Sequence, residues 1–436
     1  MLGAVTAVPS LIPSDERTRL DRWRDSLLAD PRRTRVWRWL APTLITLFAF
    51  VLRLVNVGDP HALVFDETYY VKDSWSQWLL GFPSEWPGGA DERFVAGETD
   101  FFTGVGSYVV HPPLGRFFIG AGMALFGADS ATGWRIAAVV FGTGIVLLVY
   151  LFAKTLTGSL VFASVASGLM AIDGLGIVLS RVALLDVFLT FFIVLALWFV
   201  ALDRRAALSR WAARAPGETT WGPVFWNRPW LLAAGAAAGA ATAVKWSGLY
   251  VIAGIGVYVV IEDALARRRA GIAQWPMMIR PTSMYWHQDD FGVNGCQLPG
   301  GCTEAVSSID NPLLWWAGIA ASVYLLVRFV MLRDGRHGLV LLGLAATYVP
   351  WLLYPERTIF QFYTVAMVPF LVLALTFALR DLARGPRSMT RAAGQAWVVV
   401  FLAVCVLLSA FWYPVWTGLP VPYEFWRLHN WLPTWI

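Results

Sequence analysis

Residues 134–153 read WRIAAVVFGTGIVLLVYLFA, twenty positions with a single charge, Arg135, at the second of them. A helix of that length covers about 30 Å, the hydrocarbon thickness of a bilayer, and a spanning helix needs about 20 mostly apolar residues. The same pattern recurs at 37–57, 160–179, 184–202, 230–247, 248–262, 312–332, 338–354, 360–379 and 395–413. Composition agrees. Charged residues are 14% of the chain, against about 25% in soluble domains. Apolar residues are 57% and the mean hydropathy is +0.58. The 24 Trp suit a protein with two membrane–water interfaces. These values exclude a soluble fold around one core. They also exclude a nucleic-acid binder, which needs a basic face on a soluble domain. The expected fold is an all-α polytopic membrane protein with about 10–11 transmembrane helices.

Lysine and arginine in the loops set the orientation. Eight Arg fall between Arg17 and Arg38, ahead of any long apolar run, so residues 1–35 read as a cytoplasmic tail and not as a cleaved signal peptide. A short amphipathic segment is expected near Leu20–Leu28. The loop 58–113 holds Lys72 and Arg93 against nine Asp or Glu and reads as external. Loops 203–228, 262–272, 328–337 and 380–391 are Arg-rich and read as internal, whereas 276–311 and 414–436 read as external. The membrane-embedded catalytic domain is then 36–436, with a first external loop at 58–133. Parity fails at one point. Residues 262–272 read inside and 276–311 outside with no span between them, so a segment carrying one span is expected to be missing near 264–275. No solenoid-type repeat and no low-complexity linker divides the chain.

Cys405 sits in an apolar run and reads as core packing. Cys296 and Cys302 flank Gln-Leu-Pro-Gly-Gly, a turn-rich spacer that permits a bridge in an oxidising, external loop. Two free thiols are the plain alternative.

Each charge inside a span costs about 2.5–3.5 kcal/mol at the helix centre on insertion scales, so each needs a partner or a task. The set is Arg53, Asp173, Arg181, Asp186, Lys245, Glu356 and Arg357, with Arg135 at the start of a span. Asp66-Glu67 stands just beyond the first span, where adjacent carboxylates take a proton from a hydroxyl or ligate a cation; a solvated cap in an acidic loop is the simpler reading. In His111-Pro-Pro-Leu-Gly-Arg116 two prolines end one element and start a helix over 114–127. His111 is placed to orient a carboxylate or phosphate and Arg116 to pair with an anion, unless the motif is only a rigid turn. Arg135 and Lys245, expected at one depth on the external face, suit a phosphate or pyrophosphate head group, or snorkel as cations do at interfaces. Arg280-Pro-Thr-Ser-Met-Tyr-Trp286 combines polar and aromatic groups that suit a sugar, a peptide or an interfacial belt.

In this order the motifs resemble one family closely. Asp66-Glu67, His111-Pro112-Pro113-Leu114, Trp134-Arg135, Ser180-Arg181 with Leu184-Leu185-Asp186, Lys245-Trp246-Ser247-Gly248-Leu249-Tyr250 and the Arg280-Pro281 loop look like the protein O-mannosyltransferases, in particular the actinobacterial-type branch. The resemblance runs from about residue 45 to the last span and is strongest across 50–250. It implies the GT-C architecture of about eleven spans, with the first external loop as catalytic floor. Two departures stand out. Val109 and Val110 occupy the positions before His-Pro-Pro where eukaryotic members usually carry an acidic residue, and the stretch before Arg280 is short. No appended β-trefoil domain is evident.

The resemblance further implies mannose transfer from a polyprenyl-phosphate-mannose donor to Ser or Thr hydroxyls of exported polypeptides at the extracytoplasmic face of the cell membrane. Inversion is expected, with Asp66 as general base and Glu67 assisting. Arg135, Lys245 and Arg116 are expected on the donor phosphate, with Arg53, His111, Arg181, Asp186 and Arg280 in support. No cofactor and no metal are expected, because cations of the protein hold the leaving phosphate. The partners implied are the donor lipid, the exported polypeptide, the membrane and the export channel; no nucleic acid is implied. A related transferase acting on a glycolipid or cell-wall acceptor uses the same logic. A transporter fits worse, since its paired broken repeats are missing.

Overall fold

In the computed structural model the stretch 134–153 lies within a 27-residue helix, Ala131–Thr157. The structure describes residues 18, 19, 22, 30–212, 228–265, 283–289, 296–298, 301–352, 361–385 and 389–431. Numbered in chain order, the described helices are α1 (Pro31–Leu54), α2 (Glu67–Leu80), α3 (Ala90–Val95), α4 (Leu114–Phe126), α5 (Ala131–Thr157), α6 (Leu160–Ala171), α7 (Gly174–Leu179), α8 (Asp186–Ala212), α9 (Pro229–Val244), α10 (Gly248–Leu265), α11 (Pro312–Leu332), α12 (Gly335–Leu352), α13 (Val368–Ala383), α14 (Arg391–Thr417) and α15 (Tyr423–Arg427). Among the described residues each apolar stretch read from the sequence falls mainly on helix. Five helices, α1, α5, α8, α11 and α14, are long and apolar enough to cross a membrane by themselves.

One stretch, 160–179, is broken, and the expected boundary between 230–247 and 248–262 is found near Lys245; both divisions have local causes. The run 160–179 divides where Asp173 caps α7, its carboxylate accepting from the Gly176 N–H at 2.7 Å. The run 230–262 divides at Lys245, whose backbone is extended between α9 and α10. A Cβ on Gly248 would stand 2.3 Å from the Thr242 backbone nitrogen, so only glycine lets α10 start this close to α9.

The two ends of the bundle differ in charge. At one end Lys154 of α5 lies near Arg38 of α1, Arg228 before α9 pairs with Asp203 of α8 at 2.6 Å, and Arg328 of α11 pairs with Asp381 of α13 at 3.2 Å. The described residues of the Arg-rich loops 203–228, 328–337 and 380–391 therefore share an end with the start of α1. The opposite end gathers the C-terminal ends of α1, α7, α9 and α14 and the N-terminal ends of α5 and α8. Gly254 of α10 faces Leu342 and Ala346 of α12, and α10 runs from this second end towards the cationic one. The missing span expected near 264–275 falls, apart from its first two residues, outside the described residues.

The expected helical architecture acquires one addition. Strands β1 (Ser283–Asp289), β2 (Cys302–Ser307) and β3 (Val421–Pro422) form a small antiparallel sheet in the order β1-β2-β3. It ties the loop 276–311 to the segment after α14, with His287 opposite Glu304 and Cys302 opposite Pro422. Cys296 and Cys302 are joined by a disulfide at the start of β2. Cys405 is buried, as expected of a core thiol.

Candidate active site

The segment from Leu54 to Asp66 is irregular and carries the catalytic candidates, so its backbone polar groups need partners. Buried arginines supply them. Arg181 donates to the carbonyls of Arg53, Val55, Asn56 and Thr417, locking the exit of α1 to the end of α14. Arg53 donates to Ser180 Oγ at 3.2 Å and to the carbonyls of Ala49, Met170 and Ala171, tying α1 to the break between α6 and α7. Arg135, at the start of α5, donates to the carbonyls of Val57, Pro60 and Ala62. Its remaining N–H groups go to Glu67, Nε to Oε1 and Nη2 to Oε2, both at 2.9 Å. All five guanidinium donors are thereby used, and no donor is left for a further anion.

Glu67 is saturated in the same way. Besides Arg135, its oxygens accept from the Val64 N–H at 2.9 Å and the Ala183 N–H at 2.7 Å. Neither partner is exposed, at 2% for Arg135 and 0% for Glu67. Just before this pair Phe65 has φ +50°, a left-handed conformation costing an L-residue roughly 1–2 kcal/mol. The surrounding lattice of bonds holds it there, which is how strained backbone persists next to functional residues.

Asp66 differs from its neighbour. It caps α2 without a side-chain hydrogen bond and has no such partner among the described residues. Burial pushes its carboxyl above the usual carboxylate range; the Lys245 ammonium opposes this and Asp186 adds to it. Asp66, Tyr70, Asp73 and Gln77 follow at spacings of four, three and four, so they line one face of α2. Burial raises the Tyr70 hydroxyl well above its ordinary value, with Asp186 and Asp66 adding to the shift. Burial also lifts Asp73 to about 6, against the pull of Arg116 and Lys72. The Tyr70 ring stands 6.4 Å from the His111 ring.

Within electrostatic reach of Asp66 is a second ion pair. Lys245 Nζ donates to both oxygens of Asp186, at 2.9 and 2.8 Å, and lies 5.1 Å from the centre of the Tyr363 ring. Asp186, Lys245, Ser247, Tyr250, Thr347 and Tyr363 line one cleft, continued by the apolar Leu189, Ile193 and Ala346. A cleft with polar groups at one end and apolar walls at the other suits a lipid-linked phosphate.

Of the residues singled out in the sequence, the fold brings together Asp66, Asp186 and Lys245. It sets Arg135 and Glu67 on each other instead. Arg116 is buried among Gln77 Oε1 and the His111 carbonyl, at 2.9 and 3.0 Å. Arg53 and Arg181 hold backbone. Arg280, Glu356 and Arg357 lie outside the described residues. Sequence reasoning assigns Tyr70, Asp73, Gln77 and Tyr363 no role, and places Tyr250 only within the Lys245–Tyr250 motif. The first three carried a signal, a polar stripe of helical period running on from Asp66. Tyr363, in a 3-10 turn (Gln361–Ala366), carried none.

Comparison with known proteins follows the same lines. A family model described as dolichyl-phosphate-mannose-protein mannosyltransferase matches residues 94–269. The polyprenol-phosphate-mannose–protein mannosyltransferase of Mycolicibacterium smegmatis (strain MKD8) is 28% identical, over 92% of this chain and 93% of that protein. The protein of that name from Corynebacterium glutamicum is 26% identical, over 90% and 92%. The alignment to the first runs over 500 positions, more than the 436 residues of this chain, so that relative carries stretches with no counterpart here. Among solved structures, the S. cerevisiae protein O-mannosyltransferase Pmt1-Pmt2 complex bound to the sugar donor matches with a TM-score of 0.64 at 14% identity, covering 91% of this chain and 92% of that one; at that identity it shows the fold. Ordered motifs, helical framework and relatives agree, and the chain is a membrane-embedded glycosyltransferase of GT-C fold that resembles the protein O-mannosyltransferases along nine-tenths of its length.

Proposed function

We propose that the chain transfers mannose from polyprenyl-phosphate mannose to Ser or Thr hydroxyls of exported polypeptides, inverting at the anomeric carbon, with Asp66 as general base. The observation that carries this reading is the division of labour in the adjacent pair: Glu67 has every acceptor position filled, whereas the Asp66 carboxylate is unbonded and within electrostatic reach of Lys245 and Asp186. The names of the relatives support the donor and the acceptor class. Inversion is a single displacement. The acceptor oxygen bonds to the anomeric carbon as the carbon–phosphate oxygen bond breaks, and the hydroxyl proton passes to Asp66. A base raised by burial holds that proton better than an ordinary carboxylate does.

The phosphate assignment is revised in this proposal. Arg135 has no donor to give, so it and Glu67 position the Asp66 segment. Arg116 holds a turn. Lys245 uses two of its three N–H groups on Asp186, and the third is offered to the phosphate, whose charge rises as the bond breaks. Ser247, Tyr250 and Tyr363 line the same cleft. The site end, opposite the cationic loops, is the extracytoplasmic one by the charge rule. The export channel is the source of acceptor chains in this reading. No metal takes part in the proposed step; activity lost to a chelator and restored by a divalent cation would contradict that. Incubating the full chain with labelled polyprenyl-phosphate mannose and a Ser/Thr-rich peptide tests the function. Label in the peptide is expected; label only in a glycolipid supports the cell-wall alternative.

A further inference from the structure

Asp66 and Lys245 belong to α2 and to the end of α9, and among the described residues no hydrogen bond joins these two elements. Their separation must nevertheless be fixed, because a displacement of about 1 Å in a reacting group can cost on the order of 100-fold in rate. The turn His111–Arg116 lies between them. On its α2 side Gln77, only 1% exposed, uses its amide both ways: Nε2 donates to the Pro113 carbonyl at 3.1 Å, and Oε1 accepts from Arg116 Nε at 2.9 Å. Arg116 in turn donates to the His111 carbonyl at 3.0 Å. On the other side a Cβ on Gly115 would meet Leu185 at 2.7 Å and Val244 at 3.3 Å, the residues directly before Asp186 and Lys245. The Trp246 indole N–H, directly after Lys245, donates to the Val110 carbonyl at 3.1 Å. Two consecutive prolines stiffen the turn between these attachments.

We infer that Gln77 is a positioning residue for the transfer reaction, fixing the distance between Asp66 and Lys245 by bonding the base-bearing helix to the His111–Arg116 turn. The inference rests on the function proposed above. Gln77 touches neither substrate in this account and acts through the turn. Trp246 fastens the far end of the same bracket.

The test compares wild type, Gln77→Leu, Gln77→Glu, Trp246→Phe and the Gln77→Leu/Trp246→Phe double variant, each as full chain in liposomes. Synthetic polyprenyl-phosphate mannose and a Ser/Thr-rich peptide are the substrates, and donor affinity is titrated separately. Gln77→Leu is expected to lower kcat by roughly 10- to 100-fold while donor Kd moves by less than about 3-fold. Gln77→Glu keeps the acceptor for Arg116 and loses the donor to Pro113, so its loss is smaller. The double variant is expected within about 2-fold of the worse single variant, because both changes cut one bracket. Trp246 is 58% exposed, so Trp246→Phe keeps the fold and still lowers kcat if Gln77→Leu does not insert. A Gln77→Leu enzyme with wild-type kcat, a loss shared equally by donor Kd, or losses that simply multiply overturns the positioning role alone. A wild type that transfers nothing overturns the proposed function and this inference with it.

Discussion

Arg135→Met separates a positioning arginine from a phosphate-binding one. The substitution leaves the Glu67 carboxylate buried with only two N–H partners, those of Val64 and Ala183, and strips a donor from each of the carbonyls of Val57, Pro60 and Ala62. Removing one partner of a buried ion pair costs about 3–5 kcal/mol. No discount for solvent screening applies here, since both side chains are at or below 2% exposure. The orphaned carbonyls add to that cost. Thermal unfolding in detergent, read by the loss of monodisperse protein, should therefore show Arg135→Met strongly destabilised. Adding Glu67→Met, which removes the stranded charge, should restore part of the loss, a coupling of about 0.5–3 kcal/mol. Donor affinity of whatever protein remains folded should be close to wild type. The reasoning is refuted if Arg135→Met unfolds like wild type and binds donor poorly, with no rescue by the second change.

Other changes act on the reaction itself. Asp66→Asn is expected to abolish transfer while donor binding stays within a few-fold, checked by single-turnover transfer and donor titration. Lys245→Met should weaken donor binding more than peptide binding. It also strands Asp186, so Lys245→Met/Asp186→Leu is the better-folded comparison. The pH profile of kcat/KM should show an acid limb above the ordinary Asp value of about 3.9, because the base must be unprotonated and burial raises the Asp66 carboxyl. Asp186→Asn removes an anion that contributes to the rise and should move that limb to lower pH.

The helical framework was legible because length and apolarity alone specify a span. The break at Asp173 was not, since it depends on a cap that a hydropathy run does not contain, whereas the boundary expected between 247 and 248 falls within three residues of Lys245. The sheet was obscured because its partners come from 283–289, 302–307 and 421–422, and β3 is two residues long. Charge placed Asp66 and Lys245 at one end of the bundle. It did not reveal that Arg135 spends its valence on Glu67, 68 residues earlier, or that Lys245 spends part of its own on Asp186, 59 residues earlier. A cation's depth is written in the sequence; its counter-ion is a property of the fold. Within the Asp-Glu pair the difference was partly legible. Glu67, Val71 and Ser74 follow the buried face of α2, and Asp66 is offset from Glu67 by one residue, about 100° of helix rotation.

A cryo-EM map of the chain with polyprenyl-phosphate mannose separates these roles. The phosphate is expected on Lys245, the anomeric carbon of the sugar towards Asp66, and Arg135 still bound to Glu67. A phosphate seated on Arg135, with Glu67 released and Asp66 turned away from the sugar, would contradict this arrangement.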